Sequence, residues 1–395
     1  MGTERHLYVD TGYRWVDDVP LGVWHLSGQV KLRSDRCLDT VMRLAGKEIS
    51  SRPPERFINA MNLLMSGSNV QPPWSQVMPE REHRGLVKSL INEATVALDT
   101  LSRDYYVNTW VPQSAVLRSL QPARVDKARY LELRASAGNN AKVIESFQPD
   151  SDGMATIVDY DRFGTRTGRL TTASGPAILS LKREFRDMVV PVEEGGAIAY
   201  VDFAALEARV LLYEAGGRCE DADMYTFISR ELFAGTASRN AIKQAVISEL
   251  YGSGKHSLGE VLGIEGKELN DFVGKVKRFF RTKELLKRVK DEFIKTGHVT
   301  NRYGRSLLIE EPLDHILINT YAQSTGVDVS LLGFSELVNQ FSGLPGVRPI
   351  FVLHDALLLD VAPDCIDIVK SIDKVRVPGY VNYFPLKCEF ITCTR

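Results

Sequence analysis

Two carboxylates set in apolar runs, about 150 residues apart, are the groups in this chain best placed for chemistry. Asp202 closes the run Ala199-Tyr200-Val201-Asp202-Phe203. Asp355 interrupts Phe351-Val352-Leu353-His354-Asp355-Ala356-Leu357-Leu358-Leu359. An ionised carboxylate held among β-forming residues is costly unless a cation pairs with it. Between the two lies a segment carrying Arg239, Lys243 and Tyr251. The set suits metal-assisted phosphoryl transfer on a nucleotide. Asp202 and Asp355 would hold two Mg²⁺ ions about 3.5–4 Å apart, with Mn²⁺ as a substitute. One ion would activate an attacking hydroxyl and the other would neutralise the leaving pyrophosphate.

Each element also has a plain structural reading. Asp202 stands where a strand gives way to a helix, so it could serve as a helix cap. His354-Asp355 could be a hairpin turn and no more. In the segment from Arg239 to Gly252, Arg239, Lys243, Ile247 and Tyr251 recur every four residues and form one stripe. Ile242, Ala245, Val246 and Leu250 make an apolar opposite side that would pack inward. The stripe offers two cations to phosphates and an aromatic to a base, although a basic helix face is ordinarily just solvated. Gly164-Thr165-Arg166-Thr167-Gly168-Arg169-Leu170, with Arg186 downstream, suits backbone-phosphate contact. Many turns look the same.

The elements that must position these groups follow from periodicity. Short strands are expected at Leu7–Val9 and Val23–Leu26, in a strand-like segment covering residues 1–35. Helical spacing runs over Glu55–Leu64, Arg84–Leu101 and Val125–Phe147, with a soft point at Gly138-Asn139-Asn140 and a break at Gln71-Pro72-Pro73. Gln148–Gly153 is a turn signal. Strands follow at Thr156–Tyr160 and Ala197–Phe203. Helices are expected from Ala204 to about Glu214, and over Ala237–Tyr251, Gly266–Thr296 and Leu313–Gln340. Pro349–Val361 reads as a hairpin and Leu386–Thr392 as a last strand. Strands on both sides of a long helical insertion give an α+β class.

Bulk composition narrows the classes. Of 395 residues, 44% are hydrophobic and 25% charged, which is ordinary for a globular chain. A net charge of −1 means that any nucleic-acid surface must come from local segregation of charge. Lys275–Lys295, with nine Lys or Arg against three acids, is one such segment. Five cysteines without CxxC pairing fit a reducing compartment. The sequence shows neither a signal-peptide core nor a membrane-length apolar run, so a cytoplasmic location is expected, in a bacterium or a phage-infected cell.

Taken in order, the motifs resemble the polymerase module of family A DNA polymerases from about Lys127 onward. Thr167-Gly168-Arg169 is similar to the family's TGR motif, and Asp202–Arg209 to its DYSQIELR motif. Arg239, Lys243 and Tyr251-Gly252 fit RxxxKxxx(F/Y)xxxYG. Asn319 and Gln323 fit NxxxQ, His354-Asp355 fits HDE, and Gly297–Arg305 looks like GYVxTxxGR. The resemblance implies a right-hand fold with an antiparallel palm sheet, helical fingers and a helical thumb. Residues 36–150 would be the thumb, 151–216 and 313–395 the palm, and 217–312 the fingers. It implies a template-directed DNA polymerase acting on primer–template DNA with deoxynucleoside triphosphates. Such an enzyme would work as a monomer, with replication accessory proteins as further partners.

The resemblance also implies roles. Asp202 and Asp355 would bind the metals. Arg239 and Lys243 would hold the triphosphate, and Tyr251 would stack near the templating base. Glu207 would exclude ribonucleotides. Arg169, Arg186, Asn319, Gln323 and His354 would contact DNA. Three positions depart from the motifs. Ile247 stands for an aromatic, Ala356 for the Glu of HDE and Phe203 for a Tyr. The N-terminal segment is too short for a proofreading nuclease, so excision in cis is not expected. A single-subunit RNA polymerase shares several of these motifs, but Glu207 argues against it. A catalytically inactive polymerase-like binding protein is the other alternative, and the retained Asp residues argue against that.

Overall fold

The computed structural model describes residues 7–9, 15–17, 42–66, 72, 74–251 and 255–391, with backbone alone at 7–9, 15–17, 249–251, 255–257 and 261. Val23–Leu26, Gln71, Pro73, the Tyr251 side chain and Gly252 lie outside the described residues. The chain divides into two compact units, residues 1–114 and 115–395. In the first, Leu7–Val9 pairs antiparallel with Trp15–Asp17, and helices span Glu55–Met65 and Glu80–Thr100.

The second unit is built on a five-stranded antiparallel sheet. Its order is Val347–Leu353, Ala356–Val361, Ala197–Phe203, Tyr383–Ile391 and Lys374–Arg376. All six residues of Ala356–Val361 are buried, which is why that strand reads as a nearly unbroken apolar run. Its one acid, Asp360, receives a hydrogen bond from Arg348 Nη1 at 3.2 Å, across the neighbouring strand. The 28-residue helix Asp314–Phe341 packs against the sheet and is apolar or small around most of its circumference. A helix of this kind belongs in an interior.

Gly333 brings that helix backbone down onto the strand that carries Asp202. A Cβ there would come within 2.6 Å of the Phe203 ring and 3.3 Å of Val375. Phe203 is itself fixed between Phe334 and Phe384, so the ring has no room to yield. Gly333→Ala should cost about 1–3 kcal/mol of stability by overpacking. A melting temperature equal to wild type would refute this.

Several expected boundaries move. The helix after Asp202 spans Leu206–Glu214, not from Ala204, because Ala205 takes a left-handed φ of 56°. The expected Thr156–Tyr160 strand is instead Asp159–Asp161, with Met154 bridging Arg124 upstream. Gly266–Thr296 is two helices, Gly266–Phe280 and Thr282–Thr296, broken at Arg281 with φ 46°. The break lets both apolar stripes reach the core, through Phe272, Val276 and Phe280 on one side and Leu285 and Val289 on the other. The basic run is therefore more than a solvated face. Arg288 pairs at 2.9 Å with Glu214, a buried carboxylate that also accepts from Tyr321 Oη at 2.6 Å and Tyr380 Oη at 3.0 Å.

Candidate active site

Strand pairing brings the two carboxylates together. Asp202 is the register partner of Ala356, and Asp355 immediately precedes Ala356 in the hairpin turn. The Phe203 amide donates to the Asp355 carbonyl at 3.0 Å. Strained backbone lies next to Asp355 and three residues past Asp202. Ala205 lies just past Asp202, and His354, at φ 50°, stands beside Asp355. Left-handed conformation in non-glycine residues costs roughly 1–2 kcal/mol each, so the surrounding packing must impose it. Ser330 Oγ donates to the His354 carbonyl at 3.3 Å and helps hold the turn.

The electrostatics of this pair call for a cation. Burial, and then the neighbouring Asp355, push the Asp202 carboxyl up to about 7, partly offset by Lys387. Burial also raises Asp355, and Glu207 adds to the effect. A buried carboxylate raised further by a like-charged neighbour is a natural seat for a divalent metal, which would lower it again. Among the described residues no cluster of three or more His, Cys, Asp or Glu is available for a metal. Asp202 and Asp355 are the two carboxylates that the sheet pairing brings together here. Ala356, where a third carboxylate could stand, is fully buried.

A pH dependence follows. The folded-state value for Asp202 lies above the unfolded value near 4, so the protonated form favours folding. That contribution is complete below about pH 4 and is lost as pH rises through about 7. In metal-free buffer at pH 7.5, Asp355→Asn should therefore melt a few degrees higher than wild type, and the difference should shrink towards pH 4. A variant that melts lower at pH 7.5 would contradict the like-charge account.

Asp355, but not Asp202, lines a cavity of about 160 Å³ together with Arg169, Glu207, Gln323 and His354. Five of the expected site residues, from four separate stretches of chain, thus share one space. Arg169 Nη2 donates to Glu207 Oε1 at 2.5 Å. Burial, followed by the Arg169 charge, lowers the His354 proton affinity and favours a neutral imidazole. Asn319 lies one helical turn before Gln323 and is half-buried. Arg186 sits over the Tyr200 ring at 5.9 Å, two residues before Asp202.

The turn that carries Arg169 depends on a residue given no role by the sequence. Gly168 has φ 78°, and the Arg305 guanidinium fills the place where its Cβ would be. Arg305 Nη2 donates to the Arg162 carbonyl at 3.2 Å. The Arg305 amide donates to Asn301 Oδ1, and Asn301 Nδ2 donates to Asp328 at 2.6 Å. Asn301, Arg305 and Asp328 therefore position the turn. The only signal for Asn301 and Arg305 was the Gly297–Arg305 similarity, and Asp328 had none. Lys387, the register partner of Asp202, was missed as well; strand alternation from the buried Leu386 gives its face but not its partner.

The helix Arg239–Tyr251 packs against Met224–Phe233 and Asp314–Phe341. Ile242, Ala245 and Val246 are buried, Arg239 and Lys243 are exposed, and Ile247 is half-buried. The expected two-sided character of this helix holds wherever side chains are described. These residues do not line the 160 Å³ cavity. Arg239 Nε instead meets Asp223.

An antiparallel sheet carrying two adjacent carboxylates, with helices around it, is the palm of a right-hand polymerase fold with helical fingers and thumb. A family model for DNA polymerase family A matches residues 109–389, and the chain belongs to that family. It is 25% identical over 259 residues to a thermostable DNA polymerase I of Thermus filiformis, covering 58% of this chain and 31% of that protein. It is 24% identical over 243 residues to the DNA polymerase of Mycobacterium phage D29, covering 52% and 39%. The chain thus spans roughly a third of the length of these curated relatives. The polymerase domain of Pol1 from M. smegmatis, solved with a DNA primer-template and dNTP, is similar in fold. The TM-score is 0.62 at 13% identity, over 89% of this chain and 81% of that one.

Proposed function

We propose that this protein is a template-directed DNA polymerase that adds deoxynucleotides to a primer 3′-hydroxyl. The observation that carries this reading is the juxtaposition of Asp202, near the end of one strand, with Asp355, in the turn that leads into the strand paired with it, in a chain of DNA polymerase family A. Asp202 and Asp355 are the residues that would hold two divalent cations. Such ions supply activation of the attacking hydroxyl and charge neutralisation at the leaving group. The chain's own groups do the rest. Arg239 and Lys243 bind the triphosphate of the incoming nucleotide. Arg169, Arg186, Asn319, Gln323 and His354 contact the primer–template near its end, while Tyr251 stacks near the templating base. Ile247 presents a branched aliphatic surface in place of an aromatic one. No described helix is long and apolar enough to cross a membrane.

Glu207 favours DNA over RNA synthesis. It is held by Arg169 in the cavity next to Asp355, where its bulk and charge would oppose a 2′-hydroxyl. The test is primer extension with Mg²⁺, using deoxynucleotides and ribonucleotides in parallel. Wild type should extend with deoxynucleotides only, and Glu207→Ala should raise ribonucleotide use by about 10-fold or more, the scale of one discriminating contact. Extension with ribonucleotides by wild type would move the reading to an RNA polymerase. Absence of extension with either would leave a binding protein.

A further inference from the structure

We infer that Asp223 is a positioning residue of the nucleotide site, tethering the Arg239 guanidinium by its Nε edge and leaving the Nη amines for the triphosphate. This rests on the reading of Arg239 as a triphosphate contact. Asp223 Oδ1 caps the helix Met224–Phe233, accepting from the Tyr225 amide at 3.2 Å and the Thr226 amide at 3.4 Å. Its Oδ2 accepts from Thr226 Oγ1 at 3.1 Å and from Arg239 Nε at 2.5 Å. One carboxylate is thus fixed to the start of one helix and grips the first residue of the next. The Arg239 guanidinium also lies 5.5 Å from the Tyr225 ring centre, so two neighbours define its place.

The loop that delivers Asp223 is anchored in turn. Arg209 is fully buried and donates to main-chain carbonyls. Nε reaches Ala204 at 2.8 Å, Nη1 reaches Cys219 at 2.8 Å, and Nη2 reaches Asp221 and Ala222, the latter at 3.0 Å. Arg209 shares a helix with Glu207, just after Asp202. Arg209 therefore ties the chain just past the Asp202 strand to the Cys219–Ala222 main chain, which leads directly into Asp223 and its bond to Arg239. Burial works to raise the Asp223 carboxyl, but hydrogen bonds from Arg239 and Thr226 prevail and hold it below its ordinary range. An exposed arginine loses rotamer freedom when it grips a phosphate. A tether at Nε removes part of that loss beforehand.

Asp223→Ser keeps a capping oxygen and removes the oxygen that holds Arg239. The experiment measures KM and kcat for deoxynucleotides in primer extension, with melting temperature, for Asp223→Ser in the wild-type and Arg239→Ala backgrounds. In the wild-type background KM should rise about 5-fold, the upper range for a partly exposed ion pair, with kcat little changed. In the Arg239→Ala background it should not rise further, because the two residues act as one unit. If the serine variant melts lower than wild type, Asp223→Asn, which also caps well, replaces it, and a KM rise of about 3-fold is expected. An unchanged or lower KM, or equal rises in both backgrounds, would overturn the inference and leave the polymerase reading standing. A wild type that extends no primer would overturn both.

Discussion

Asp355→Ala should abolish primer extension while primer–template binding survives. Transition-state charge stabilisation by bound metal is worth several kcal/mol, and about 4 kcal/mol corresponds to a loss near 10³-fold in rate. In the proposed reading DNA is contacted by Arg169, Arg186, Asn319, Gln323 and His354 and not by Asp355, so removing this one acid should leave affinity and its salt dependence within about 3-fold. The substitution also removes the like charge that raises Asp202. The variant should therefore be no less stable than wild type at neutral pH, which separates loss of chemistry from loss of fold. Extension within tenfold of wild type would remove Asp355 from the metal site. Parallel loss of DNA binding would make its role architectural.

Lys243→Ala should reduce kcat/KM for deoxynucleotides by about 10²-fold, the low end for removal of one preorganised donor to a reacting centre. Lys243 is exposed on the helix Arg239–Tyr251, whose opposite side is buried through Ile242, Ala245 and Val246. Truncation should therefore leave packing intact and primer–template affinity within about 2-fold, since at most one phosphate contact is lost. Lys243→Arg should restore part of the loss, because the charge returns with different geometry. Equal losses in nucleotide use and in DNA binding would mean that the helix acts as a generic basic surface.

Each half of the carboxylate pair was legible by itself in the sequence. Local pattern was enough to recognise the strand ending at Asp202, the hairpin around His354-Asp355 and the buried side of the Arg239–Tyr251 helix. Alternation, turn chemistry and helical period act over a few residues and are written into neighbouring side chains. Their order along the chain was enough for the family resemblance that the match over residues 109–389 bears out. Local pattern misjudged Gly266–Thr296, because the left-handed turn at Arg281 is imposed by packing two apolar stripes on one core.

What only the tertiary structure decided are the meetings between distant segments. The register that sets Ala356 opposite Asp202 is fixed by a central strand paired on both sides, and a one-residue slip would turn Asp202 to the other face. The Arg169–Glu207 pair, the Arg305 guanidinium in the place of a Gly168 side chain and the Asp223 tether on Arg239 each join residues with no local signal for one another. Propensity says which element a residue occupies. Which side chain it meets depends on how elements pack, and that is set by the whole core.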